Sequence, residues 1–253
     1  VNMLEVDMIR FLRVTDLRSA DTHAIPAYLF LPESPRGGAA VVHGYGGCKE
    51  QMLGISARLA EEGWASLAID IRGHGEHPAP LDERLLQDLE AALDSLRRYG
   101  RVVALGHSLG GRLALISSAD LVIAISPAVA SRPSEEGRQM LLAFGSTTVR
   151  SPSPDYILEL LRKMEQVQEP TRPVLLLHGD QDIPTLIEGI RGLAGDLPQG
   201  TLAAVTAFQH PEASLSPAIL PYLNRWFNHL DLKFNPDVFQ RAVAWLKVQE
   251  GSG

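Results

Sequence analysis

Six short apolar runs, separated for the most part by segments of helical periodicity, constrain this chain's fold more than any other feature of its sequence. They lie at 39–43, 65–70, 101–106, 121–126, 173–178 and 201–207. Each reads as a strand buried on both faces of a parallel sheet, where alternation with polar residues is not required. Between them, the stretch 82–98 places Leu85, Leu86, Leu89, Ala92, Leu93 and Leu96 on one helical face with charges opposite. Strand–helix–strand repetition implies right-handed crossovers and helices on both faces of one sheet. Residues 3–13 and 25–31 read as an opening antiparallel pair. The 253 residues suit a single domain of this kind.

Composition narrows the function classes. Cys48 is the one cysteine, so an intrachain disulfide scaffold is excluded. A net charge of −7 argues against a general nucleic-acid-binding surface, which needs a basic face. There is no apolar run of about 18 residues, so no membrane-spanning helix is expected. Residues 1–10 lack a basic start followed by an apolar block, so no signal peptide is expected and a cytoplasmic location follows.

The alternation breaks between Ser126 and Pro173. Two helical stretches, roughly 134–145 and 154–168, fit between prolines there, so 127–170 is expected to form a small helical cap inserted in the domain. Two amphipathic stretches close the chain. The first carries Ile219, Leu220, Leu223, Trp226, Phe227 and Leu230. The second starts at Asn235-Pro236, an N-cap followed by proline at the first helical position. The last helix is expected to pack on the body, with a homodimer contact as the alternative use of its face.

The strongest chemical signal is Gly106-His107-Ser108-Leu109-Gly110-Gly111. It follows a strand and opens a helix, the context that the pattern Gly-x-Ser-x-Gly requires. Glycines two before and two after the serine allow a sharp turn that lifts the hydroxyl above the sheet edge. Serine needs a base, and the base needs an acid to orient it. Past the strand 173–178 stands His178-Gly179-Asp180-Gln181-Asp182. Asp182 is favoured as the acid, with Asp180 as its competitor. His178, His210 and His229 are the histidines after Ser108. His178 precedes the acid and His229 lies late in a helical pattern, whereas His210 follows a strand end. His210 is therefore expected to be the base.

Oxyanion stabilisation needs preorganised N–H donors. Leu109, next after the serine, should supply one, and Tyr45 in His43-Gly44-Tyr45-Gly46-Gly47 the other. A dinucleotide loop is excluded there because Lys49 replaces the third glycine. Asp70 and Arg72 in Asp70-Ile71-Arg72-Gly73-His74-Gly75 are read as bonding neighbouring loops. His74 and His77 have no acidic or cysteine cluster beside them in the sequence, so no metal site is expected. Cys48 is read as small filler.

Taken together, these motifs resemble the α/β-hydrolase superfamily, from about residue 25 to 230. The resemblance implies a mostly parallel eight-stranded sheet with its second strand antiparallel, helices on both faces, a Ser–His–Asp triad at the C-terminal edge and a cap after the sixth strand. The chain departs from the common Gly-x-Gly-His form at Phe208-Gln209-His210-Pro211. It implies an acyl-enzyme hydrolase without metal or organic cofactor, acting on a small-molecule acyl substrate. A carboxylesterase is the first reading. A thioesterase, an acylaminoacyl-type peptidase or a carbon–carbon bond hydrolase are alternatives on the same residues, and a non-catalytic ligand-binding protein of this fold is the remaining one.

Overall fold

The computed structural model describes residues 8–129, 135–164, 171–206 and 220–251. Its strands are β1 (Arg10–Val14), β2 (Ala27–Leu31), β3 (Gly37–Val42), β4 (Trp64–Ile69), β5 (Val102–His107), β6 (Leu121–Ile125), β7 (Val174–Gly179) and β8 (Gly200–Val205). They form one eight-stranded sheet in the order β1-β2-β4-β3-β5-β6-β7-β8. β2 runs antiparallel to both its neighbours, and the pairs from β4 to β8 are parallel. This is the expected sheet, including its antiparallel second strand.

The helices are α1 (Leu53–Glu61), α2 (Leu85–Leu96), α3 (Leu109–Ile116), α4 (Glu135–Thr148), α5 (Tyr156–Lys163), α6 (Pro184–Asp196), α7 (Leu220–Asp231) and α8 (Pro236–Glu250). Successive strand residues point to opposite faces, so each apolar run feeds two cores. Ala40, Val42, Ala104, Val122, Ala124 and Leu176 pack with α2, α3, α5 and α6 on one face. Ala39, Val41, Val103, Leu105, Ile123 and Leu177 pack with α1 and α8 on the other. Asn235 caps α8 as expected, its side chain accepting from the Asp237 N–H at 2.9 Å.

One expectation needs adjustment. β8 was read as buried on both faces, but it is an edge strand, and Leu202 is 38% exposed. The two helices between β6 and β7 are present as α4 and α5. α5 sends Ile157, Leu158 and Leu160 into the main core. Among the described residues, no helix is long and apolar enough to cross a membrane.

Loops at the C-terminal edge are tied down by buried charge. The Arg72 side chain is fully buried and donates to Asp88 at 2.8 and 3.1 Å, to Asp82 at 2.9 Å and to Asp21 at 3.0 Å. Burial opposes its charge, but these carboxylates outweigh it and raise its pKa. Asp70 plays the matching part, accepting from the Lys49 N–H at 2.7 Å, the Lys49 Nζ at 2.8 Å and the Glu76 N–H at 2.9 Å. Both residues bond neighbouring loops, as the sequence suggested. Arg72→Met would strand the buried Asp88 carboxylate. The expected cost is about 3–5 kcal/mol, read as a lower urea midpoint. A loss under about 1 kcal/mol would show that the network contributes little to stability.

Candidate active site

Strand β5 delivers Ser108 to the sheet edge through a turn that only small residues permit. Ser108 has φ +53° and ψ −112°, an uncommon conformation for a residue with a Cβ. Such strain costs of order 1–3 kcal/mol and persists where the surroundings enforce it. Here they do. A Cβ on Gly106 would collide with the Gly110 carbonyl, and one on Gly110 would lie 2.5 Å from the Val42 carbonyl oxygen. The two glycines let α3 start almost against β3 and β5. The Ser108 N–H donates to the Ile125 carbonyl at 2.9 Å, fixing the turn to β6.

The ring facing Ser108 belongs to His229. The Ser108 hydroxyl lies 3.1 Å from His229 Nε2, and His229 Nδ1 lies 3.0 Å from Asp182 Oδ1. With Asp182 ionised, Nδ1 carries the proton, which leaves Nε2 free to accept from the serine. The structure thus places His229, rather than the expected His210, between the serine and the acid. His210 lies outside the described residues, and the position between serine and acid is filled from the end of α7. The order serine, acid, histidine is satisfied by either residue. What misled was the requirement that the base directly follow a strand. The available signal was the Asn235-Pro236 helix start, since His229 stands shortly before the last helix.

Asp182 is the acid that reaches this ring. It is 2% exposed, while Asp180 is exposed at the turn. Its Oδ1 also accepts from the Ile183 N–H at 2.7 Å, and its Oδ2 accepts from the Ser126 hydroxyl. Burial pushes its pKa up, but His229 and these donors outweigh burial and hold it below the ordinary carboxylate value. Ser126 escaped the sequence reading. It sits at the end of β6 with φ +45° and is fully buried.

Two further histidines act as struts. His107 Nε2 donates to the His229 carbonyl at 2.8 Å, so the residue before the serine anchors the backbone of the facing ring. Burial first, and then the nearby His229 and Lys233 charges, lower its pKa well below the usual value, so it is neutral. His43 Nδ1 donates to the Gly44 carbonyl at 2.8 Å, and its Nε2 accepts from the Ile71 N–H at 3.4 Å. Burial lowers its pKa to about 4. It links the glycine loop to the Asp70 loop.

Gly44, Tyr45, Gly46, Gly47, Ser108 and His229 line a cavity of about 110 Å³. Gly44 packs closely on the serine, and a Cβ there would stand 3.1 Å from Ser108 Cβ, tighter than an ordinary contact. The glycine loop thus brings its backbone against the serine. Tyr45 is in that loop, and Leu109 is the first residue of α3, directly after Ser108. Cys48 is half-buried beside the same loop, and burial raises its pKa, as suits an inert thiol.

Residues 40–246 match the sequence model of the alpha/beta hydrolase family. No curated protein sequence matches the chain. Among solved structures, an esterase of Pyrococcus furiosus aligns with 16% identity and a TM-score of 0.64, over 95% of this chain and 91% of that one. Est1E of Butyrivibrio proteoclasticus, with ferulic acid bound, aligns with 19% identity and a TM-score of 0.60, over 85% and 97%. A thermophilic esterase of Thermogutta terrifontis, malate bound, aligns with 15% identity and a TM-score of 0.63, over 94% and 98%. The match to the family model spans most of the sequence and includes the serine turn, the acid and the facing histidine, and the chain belongs to the alpha/beta hydrolase family.

Proposed function

We propose that this protein is a serine esterase that cleaves small carboxylic esters through an acyl-enzyme. The observation that carries the reading is the chain of contacts from Ser108 through His229 to Asp182, all at the sheet's C-terminal edge. Ser108 Oγ attacks the ester carbonyl while His229 Nε2 takes its proton. His229 then returns the proton to the leaving alkoxide, and the acyl group stays on Ser108. A water attacks the acyl-enzyme by the same route in reverse, with His229 again as base. Asp182 holds the ring's tautomer and stabilises the imidazolium, and Ser126 fixes the far oxygen of Asp182.

The backbone N–H groups of Tyr45 and Leu109 are assigned to the tetrahedral oxyanion. Leu109 opens α3, where unpaired N–H groups and the helix dipole favour negative charge. A donor of this kind is worth about 3–4 kcal/mol of barrier. The neighbouring esterases at 15–19% identity share the fold, and their activity supports ester cleavage as the first substrate class to test.

The small cavity favours short acyl groups. Steady-state hydrolysis of p-nitrophenyl esters from acetate to palmitate is expected to peak at the short end and to fall steeply with length. Turnover that rises with chain length would contradict the assignment of acyl size. No turnover on any member would contradict ester hydrolysis itself.

A further inference from the structure

The cavity beside Ser108 is lined by a residue with a charged side chain that the proposed reaction does not use. Lys233 lies in the 3-10 turn Leu232–Phe234, just after α7, and is 5% exposed. It lines the same cavity as Ser108, His229 and the glycine loop. Among the described residues, the other side chains around that cavity are Tyr45, Gln51, His107, Leu141 and Leu230, and none of these is a carboxylate. Lys233 Nζ donates to the Leu230 carbonyl at 2.6 Å and lies 4.9 Å from the centre of the Phe234 ring. An ammonium has three donors, and the carbonyl occupies one.

A buried ammonium is costly unless an anion or several dipoles meet it. Burial lowers the Lys233 pKa to about 8, and the Asp231 charge only partly offsets this. Arg72 and Lys49, the other deeply buried cations described above, are each met by two or more carboxylates. Lys233 instead lines the cavity where substrate would sit.

Building on the esterase reading, we infer that Lys233 is a specificity residue that pairs with a carboxylate on the substrate, so that preferred substrates are anionic half-esters of short dicarboxylic acids. The carboxylate would sit against Nζ while the ester carbonyl lies at Ser108. A neutral acyl chain of equal length would leave the ammonium unmatched. One charge-assisted hydrogen bond in a buried site is worth about ten- to a hundredfold in relative affinity.

The test compares kcat/KM for mono-p-nitrophenyl succinate and p-nitrophenyl butyrate, because their ratio cancels effects on the triad common to both. The wild type is expected to favour the succinate by about ten- to a hundredfold, and Lys233→Met to bring the ratio near one. Lys233→Arg keeps the charge and is expected to retain part of the preference. A wild type with no preference would overturn the inference with no need of a variant, and would leave the esterase reading intact. An unchanged ratio in Lys233→Met would overturn it equally.

A second measurement does not depend on turnover. Calorimetric binding of monomethyl succinate to Ser108→Ala is expected to weaken by about tenfold or more when Lys233→Met is added. If no ester is hydrolysed yet this binding depends on Lys233, the esterase reading falls and the anion site stands. If the two proteins bind alike, or neither binds, the anion site falls.

Discussion

His229→Ala is expected to lower kcat/KM for a short p-nitrophenyl ester by about 10⁴- to 10⁶-fold, whereas His210→Ala keeps turnover within about tenfold of wild type. The first loss corresponds to about 5–8 kcal/mol of barrier. Its size follows from the two jobs of one ring. Nε2 is within hydrogen-bonding distance of the Ser108 hydroxyl, and the same atom must later protonate the leaving group. Among the described residues, no other histidine touches the Ser108 hydroxyl. His107 is the nearest histidine in sequence to Ser108, but its Nε2–H is committed to the His229 carbonyl and burial suppresses its proton affinity. Steady-state rates on the two single variants decide the matter. Equal losses, or a larger loss at His210, would return the base to the position that the sequence favoured.

Ser108→Ala is expected to be as damaging, again about 10⁴- to 10⁶-fold, with circular dichroism and the urea midpoint close to wild type. Alanine keeps the Cβ, so it occupies the same turn at φ +53° and loses only the hydroxyl. Ser126 cannot take over, because it is fully buried and its hydroxyl is spent on Asp182. In the proposed mechanism serine and histidine act in one step, so the Ser108→Ala/His229→Ala double variant is expected to be no worse than either single one. Multiplicative losses would mean that the two residues serve separate steps.

Most of the fold could be read from the sequence because its signals are local. The six apolar runs correspond to β3–β8 within a few residues, and the turn around Ser108 is required by glycines at 106 and 110 whose places in the packing admit nothing larger. The place of Asp182 at the sheet edge was legible because it lies just past the end of the buried strand β7. β8 was misjudged because an apolar run does not say whether another strand lies beyond it. His229, Ser126 and His107 were illegible for a related reason. Each acts across the fold: the α7 end against β5, and β6 against the loop after β7. Position along the chain does not reveal such meetings. The helix carrying His229 was anticipated, but not that its end would turn into the sheet's C-terminal edge.

The central claim is that Ser108 carries the acyl group and His229 moves the proton. The most direct measurement is acid quenching of the enzyme during p-nitrophenyl acetate turnover, followed by peptide mass mapping of wild type and His229→Ala. The account predicts one acetyl group on the wild-type peptide containing Ser108, formed fast enough to lie on the turnover path, and far slower acetylation in His229→Ala. Turnover with Ser108 unmodified, or an acetyl group that forms as fast without His229, would contradict it.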